Sequence, residues 1–251
     1  MFRRPSELVN EVLRVSEAAA RNPQSGPAPP LPDTIDEYRA KGVKRLRDDA
    51  FPLMQASYQS PQQAAQTLSS IGYTIDPELS SDETKVAINQ GGDPVVLHRG
   101  SKTARDWLVS DTSILAGAQA FADPRLKRAR EITDAARDKY EREPGAVGHS
   151  LGGRLAQVTG ARGPVVTYNA AAGLGDIGRE VPSNVQNIRS PGDIVSLLSR
   201  TQRQARPQET LRSPQDTWMQ QFARALQPSF LGFAQNVTEA HRLSNLVPAQ
   251  G

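Results

Sequence analysis

Residues 146–153 constrain this chain more than any other stretch. A β-prone Ala146-Val147 runs into Gly148-His149-Ser150-Leu151-Gly152-Gly153, and Leu155 and Ala156 continue a small-residue run able to pack closely as a helix. Strand and helix are therefore expected to meet at one residue, with no loop between them. Glycines two positions before and after the serine leave room for the two elements to approach while the serine takes strained backbone angles that point its hydroxyl outward. The fixed letters Gly-x-Ser-x-Gly alone would occur by chance in roughly one chain in ten of this size. The strand before and the helix after give the pattern its weight.

The rest of the chain supplies a sheet and its cover. Lys85–Ile88 and Pro94–His98 are two β-prone runs separated by Asn89-Gln90-Gly91-Gly92-Asp93, a hairpin composition, and the core sheet is expected to start there. Val165–Tyr168 and Val185–Ile188 read as further strands. Helical patterns run from Thr34 to about Ser57, over about 61–71 with a stop at Gly72, and over 124–143. In the last, Leu126, Ala129, Ile132, Ala136 and Tyr140 share one side. The cluster Lys44, Arg45, Arg47 is followed at once by Asp48-Asp49 and reads as a solvated helix face. Strands alternating with helices imply an α/β fold, with a mostly parallel sheet covered on both faces.

A boundary falls near residue 33. Residues 6–21 have the spacing of a short amphipathic helix, and 22–33 (NPQSGPAPPLPD) form a proline-dense linker. The chain thus divides into an N-terminal extension, 1–33, and one domain, 34–251. With 30 Lys plus Arg against 27 Asp plus Glu, the net charge of +3 gives no electrostatic footprint for nucleic acid. Zero Cys excludes a disulfide framework, a thiolate metal site and a cysteine nucleophile. Paired histidines at zinc-ligand spacing are lacking, as are the Lys and Ser/Thr of a phosphate loop, so neither a metal nor a cofactor is expected. Arg3-Arg4 is followed by Pro5-Ser6-Glu7 where an export signal needs an apolar run, and no stretch has the ~20 apolar residues of a membrane span. A cytoplasmic or virion-associated location is expected over secretion by the Sec route.

A serine at its free pKa is a poor nucleophile and needs a general base, normally histidine, which an acid holds in the right tautomer. Of the three histidines, His149 lies inside the turn and His98 at the end of a strand, which leaves His241 as the base. Its late position fits the order serine, acid, histidine used by such sheets. For the acid, Asp193 follows a strand and the turn Ser190-Pro191-Gly192, at the end of the sheet where clefts open. Asp176 in Gly175-Asp176-Ile177-Gly178 is the runner-up, and either carboxylate could instead cap a turn. The free amide of Leu151 would face an oxyanion formed on an acyl group at Ser150.

The motifs VVLHRG (Val95–Gly100), Ser101 with Asp106-Trp107, GHSLGG, TYNA, SPGDIVSL (Ser190–Leu197) and His241, in that order, resemble the class 3 lipases of the α/β-hydrolase fold, over about residues 80–245. The resemblance implies Ser150 as nucleophile, Asp193 as acid and His241 as base. It adds Ser101, whose amide and hydroxyl would join the amide of Leu151 in an oxyanion hole. It also implies a lid over 101–111, with Trp107 and Leu108 on its apolar side. The missing signal peptide and disulfides resemble intracellular or viral-type members. The polar stretch 200–217 precedes Trp218, Met219, Phe222, Leu226, Phe230, Leu231 and Phe233, a cluster suited to core, to an acyl-chain wall or to docking.

The expected function is hydrolysis of carboxylic esters in acyl lipids, of lipase or phospholipase type, with transient contact to a lipid surface. Its rival is a hydrolase fold used as a structural or interaction component, for instance of a virus particle, with the N-terminal arm reaching protein neighbours.

Overall fold

The computed structural model describes residues 35–101, 124–160, 162–172, 176–190, 199 and 201–210, with side chains from Lys41 onward. The expected N-terminal helix and linker, the lid beyond Ser101, the acid Asp193, the aromatic cluster 218–233 and His241 lie outside the described residues.

Two helices open the described chain, α1 (Ile35–Tyr58) and α2 (Pro61–Ser70). Leu46, Ala50, Leu53 and Met54 recur at helical spacing along α1 and are buried. Each large apolar side chain so buried contributes roughly 1.5–3 kcal/mol. Ser60 starts α2 with a capping box: its hydroxyl accepts from the Gln63 amide, and the Gln63 side chain reaches back. Gly72, at a φ of 78°, turns the chain out of α2.

The strands are β1 (Tyr73–Asp76), β2 (Thr84–Asn89), β3 (Pro94–His98), β4 (Gly145–His149), β5 (Val165–Tyr168), β6 (Glu180–Val181), β7 (Val185–Arg189), β8 (Arg203–Gln204) and β9 (Glu209–Thr210). Seven form one sheet in the order β1-β2-β3-β4-β5-β7-β9, while β6 and β8 pair as a two-stranded piece. The first two pairings are antiparallel and the other four parallel. Every residue of β3, β4 and β5 is buried, as expected of parallel strands covered on both faces.

Alternation along these strands assigns the two faces. Val95, Leu97, Val147, Val166 and Ile188 pack with Leu46, Leu53 and Leu68 of α1 and α2. The intervening Val96 packs with Ala136 of α3 (Pro124–Tyr140), and Ala146 and Val165 pack with Ala156 of α4 (Leu151–Thr159). One helix pair therefore covers each face, and the strand β4 passes into α4 at Ser150. The mostly parallel sheet covered by helices on both faces, as expected from the sequence, is present.

Two expectations need correction. The sheet starts at Tyr73, one strand before Lys85: β1 is four residues long and pairs at the edge, too short to show a period. Within the polar stretch 200–217, Glu209-Thr210 forms β9 and pairs in parallel with the end of β7 through main-chain bonds that need no apolar side chains. Lys44 and Arg45 are exposed, but Arg47 turns inward to an ion pair with Glu209 and ties α1 to that edge.

Candidate active site

Ser150 has φ 57° and ψ −126°, a conformation that costs a non-glycine residue about 1–3 kcal/mol and persists only where its surroundings over-determine it. They do so here. The Ser150 amide donates to the Tyr168 carbonyl at 3.0 Å, and its carbonyl accepts from the Ala171 amide at 3.0 Å and the Arg154 amide at 3.2 Å. The chain leaving β5 thus grips the serine backbone from both sides.

The flanking glycines are required by space. A methyl group on Gly148 would collide with the carbonyl of Gly152 and lie 2.7 Å from the Gly153 nitrogen. One on Gly152 would run into the carbonyl of His98, 2.7 Å from its carbon. The elbow therefore packs backbone against backbone, onto the end of β3. Leu151, the first residue of α4, is fully buried by its side chain, and its amide belongs to the first helical turn, where N–H groups lack an intrahelical acceptor. The partial positive charge of the helix start is thus placed beside Ser150.

The chain leaving β3 crosses close to this turn. A methyl group on Gly100 would stand 3.1 Å from Ser150 Cβ and 2.7 Å from the His149 carbonyl oxygen. Three polar contacts fix the path: the Arg99 amide donates to the Glu83 carbonyl at 3.1 Å, Arg125 Nη2 donates to the Arg99 carbonyl at 2.6 Å, and the Gly100 amide donates to Tyr58 Oη at 3.0 Å. Ser101 follows, and its hydroxyl oxygen is buried with no partner among the described residues.

Tyr58, at the end of α1, joins both sides of the site. Its hydroxyl accepts from Gly100 and lies 2.8 Å from His149 Nδ1. Burial pushes its pKa up to about 12, so the hydroxyl keeps its proton. The contact engages His149 Nδ1. The end of α1 is itself held by Lys85, a wholly buried lysine whose Nζ donates to the Ser57 carbonyl at 2.9 Å.

His98 is engaged elsewhere. Its Nε2 lies 3.1 Å from Thr159 Oγ1, whose own proton goes to the Leu155 carbonyl at 2.9 Å, so Nε2 is the donor and the ring is neutral. Burial, aided by the charge of Arg125, pushes its pKa down to about 3. Nδ1 is buried with no partner among the described residues.

The runner-up acid, Asp176, is buried between two guanidinium groups, paired with Arg154 and, at 3.3 Å, with Arg179. It braces α4 against the β6 region. Among the described residues no group of three or more His, Asp or Glu is placed to hold a metal ion, and no helix is long and apolar enough to cross a membrane.

The structure therefore brings Ser150, Leu151 and the Gly100-Ser101 segment together, and Asp193 and His241 lie outside the described residues. Sequence reasoning missed Tyr58, because nothing near residue 58 signals a partner 91 positions away. It also passed over Asn169, although TYNA was in plain view; that residue has φ 44° and hydrogen bonds to Ser190.

No protein-family model matches the chain, and no curated protein matches it. Among solved structures it is similar to Rhizomucor miehei lipase in its propeptide complex, at 15% identity and a TM-score of 0.38, over 71% of this chain and 74% of that one. It is likewise similar to a fungal lipase in complex with an inhibitor, a structure described as a model for interfacial activation in lipases. The identity is 15% and the TM-score 0.40, over 62% of this chain and 74% of that one. Likeness at this distance says nothing of chemistry, which the side chains have to supply.

Proposed function

We propose that the protein is a carboxylic ester hydrolase acting on acyl lipids through an acyl-enzyme on Ser150. The observation that carries this reading is the strained Ser150 backbone at the junction of β4 and α4, a cost retained at a serine that stands directly before a helix. Ser150 Oγ attacks the ester carbonyl and gives its proton to His241, which passes it to the leaving alcohol. Water then releases the acid by the same route. Asp193 orients the imidazole, and the amides of Leu151 and Ser101, with the Ser101 hydroxyl, receive the oxyanion.

The histidines support the assignment of the base. His98 is buried and neutral, and Nδ1 of His149 is taken by Tyr58, so His241 is the histidine left for the task. Ser150→Ala is expected to lower turnover of a p-nitrophenyl ester by about three orders of magnitude or more. A fluorophosphonate is expected to label the wild type and not the variant. Hydrolysis and labelling that survive the substitution would remove Ser150 from the mechanism. A wild-type protein inert to both ester and fluorophosphonate would favour the structural role instead.

A further inference from the structure

Three chain segments that meet at the elbow are joined through one phenol. α1 ends at Tyr58, β4 ends at His149, and the chain leaving β3 runs through Arg99 and Gly100 to Ser101. The Gly100 amide donates to Tyr58 Oη at 3.0 Å, and the same oxygen lies 2.8 Å from His149 Nδ1. The two rings also meet edge to face, with centroids 5.9 Å apart.

Both sides of this contact are pinned to β2 or the residue before it. Lys85 Nζ donates to the Ser57 carbonyl at 2.9 Å, and the Glu83 carbonyl accepts from the Arg99 amide at 3.1 Å. Tyr58 and Gly100 are thus each the next residue after a fixed one. Gly100 has no side chain to hold the segments apart: a methyl group there would collide with Tyr58 Oη and stand 3.1 Å from Ser150 Cβ. Ser101 follows, and its hydroxyl oxygen is buried with no partner among the described residues. A buried hydroxyl left unsatisfied is costly, and an oxyanion formed on Ser150 would satisfy it.

A phenylalanine would fill the same space as Tyr58. What the hydroxyl adds is a link between the segment that carries one candidate oxyanion donor, Ser101, and the elbow that carries the nucleophile and the other donor, Leu151. Two donors serve one oxygen only while their separation is held to about 0.5 Å.

We propose that Tyr58, braced on His149, is a positioning residue that sets the Ser101 donor against Leu151 and so fixes the width of the oxyanion hole at Ser150. This rests on the ester hydrolase reading and deepens it. The effect runs through the Gly100 amide, not through contact with the substrate.

Full-length wild type, Tyr58→Phe and His149→Phe are compared on p-nitrophenyl butyrate, per site labelled by a fluorophosphonate at end point, with Ser150→Ala as the blank. An alkyl trifluoromethyl ketone is the second probe. Ser150 Oγ bonds to its carbonyl carbon, the π pair moves onto the carbonyl oxygen, and the hydroxyl proton passes to the general base. The resulting hemiketal anion stands where the transition state has its oxyanion. Tyr58→Phe is expected to lower kcat roughly ten- to a hundredfold with KM changed less than about threefold, below the effect of deleting a donor outright. The ketone's inhibition constant should rise by the factor by which kcat/KM falls, since both read the oxyanion. The acid limb of the pH–rate profile should stay in place, because the base is untouched. His149→Phe keeps the ring contact but removes the atom that braces Tyr58; it should give smaller changes in the same proportion, and it serves if Tyr58→Phe does not fold. Wild-type kcat and inhibition constant in the folded variant, or a fall in kcat with the inhibition constant unmoved, overturns the role of Tyr58 and leaves Ser150 as nucleophile. A wild-type protein inert to both ester and ketone, or full hydrolysis by Ser150→Ala, overturns the ester hydrolase reading and this inference with it.

Discussion

Replacing His98 with glutamine is expected to remove a pH dependence of stability that this buried ring supplies. The ring is neutral, donates from Nε2 to Thr159, and has a buried Nδ1 with no acceptor among the described residues for a second proton. Its pKa in the folded protein is about 3 against 6.5 in a free chain. Below 6.5 the unfolded chain takes up a proton that the folded protein refuses until about pH 3, so stability falls as pH drops through that window. Each pH unit is worth about 1.36 kcal/mol, so by pH 5 this one group has removed about 2 kcal/mol. Glutamine keeps a donor for Thr159 and does not titrate. Urea unfolding followed by far-UV circular dichroism at pH 7, 6 and 5 should show the wild type losing about 2 kcal/mol more than His98→Gln between pH 7 and 5, whatever the variant's own offset at pH 7. Parallel stability curves for the two proteins would mean that His98 is protonated in the fold, and the tautomer argument would fail.

Tyr58→Phe keeps the ring against His149, at 5.9 Å between centroids, but leaves the Gly100 amide and His149 Nδ1 without the hydroxyl. It is expected to lose about 1–3 kcal/mol of stability and to slow fluorophosphonate labelling of Ser150; an unchanged urea midpoint and labelling rate would contradict the bridge. Gly152→Ala drives a methyl group into the backbone at His98 and should cost about 1–3 kcal/mol, read as a lowered melting temperature. Melting at the wild-type temperature would show that the elbow has slack. Asp176→Asn strips the buried charge from between Arg154 and Arg179 and should destabilise by about 3–5 kcal/mol without moving the pH–rate profile of the protein that remains folded. A moved profile would return Asp176 to the list of candidate acids.

What the sequence displayed was what repeats or touches locally. β4, the elbow and α4 came from eight consecutive residues, because the glycines, the serine and the apolar run all act on their immediate neighbours. The hairpin β2-β3 came from two β-prone runs around a turn composition, and helices α1 to α3 from a period of 3.6. β1 and β9 were missed because edge pairing is made by main-chain groups, and four or two residues carry no period. Arg47 was misjudged for a related reason: the cluster around it marks a polar helix face, but its partner Glu209 lies 162 positions away. Tyr58 has the same difficulty. Asn169 is different, since an asparagine just after a four-residue apolar strand, where glycine is the easier residue for a left-handed turn, was available as a signal.

The polar side chains around Ser150 follow from where the sheet stops. Past the carboxyl ends of β3, β5 and β7 main-chain groups satisfy only part of the chain, which is still largely buried, so the remaining amides and carbonyls need acceptors and donors from side chains. Tyr58 takes the Gly100 amide, Asn169 takes the Ser190 amide, and Arg125 takes the Arg99 carbonyl. These side chains fix the chain leaving β3 and the chain leaving β7 beside the elbow. An elbow held this way is fixed by the protein alone, and under the proposed ester hydrolysis that is the condition under which donors aimed at an oxyanion need no reorganisation at the moment of reaction.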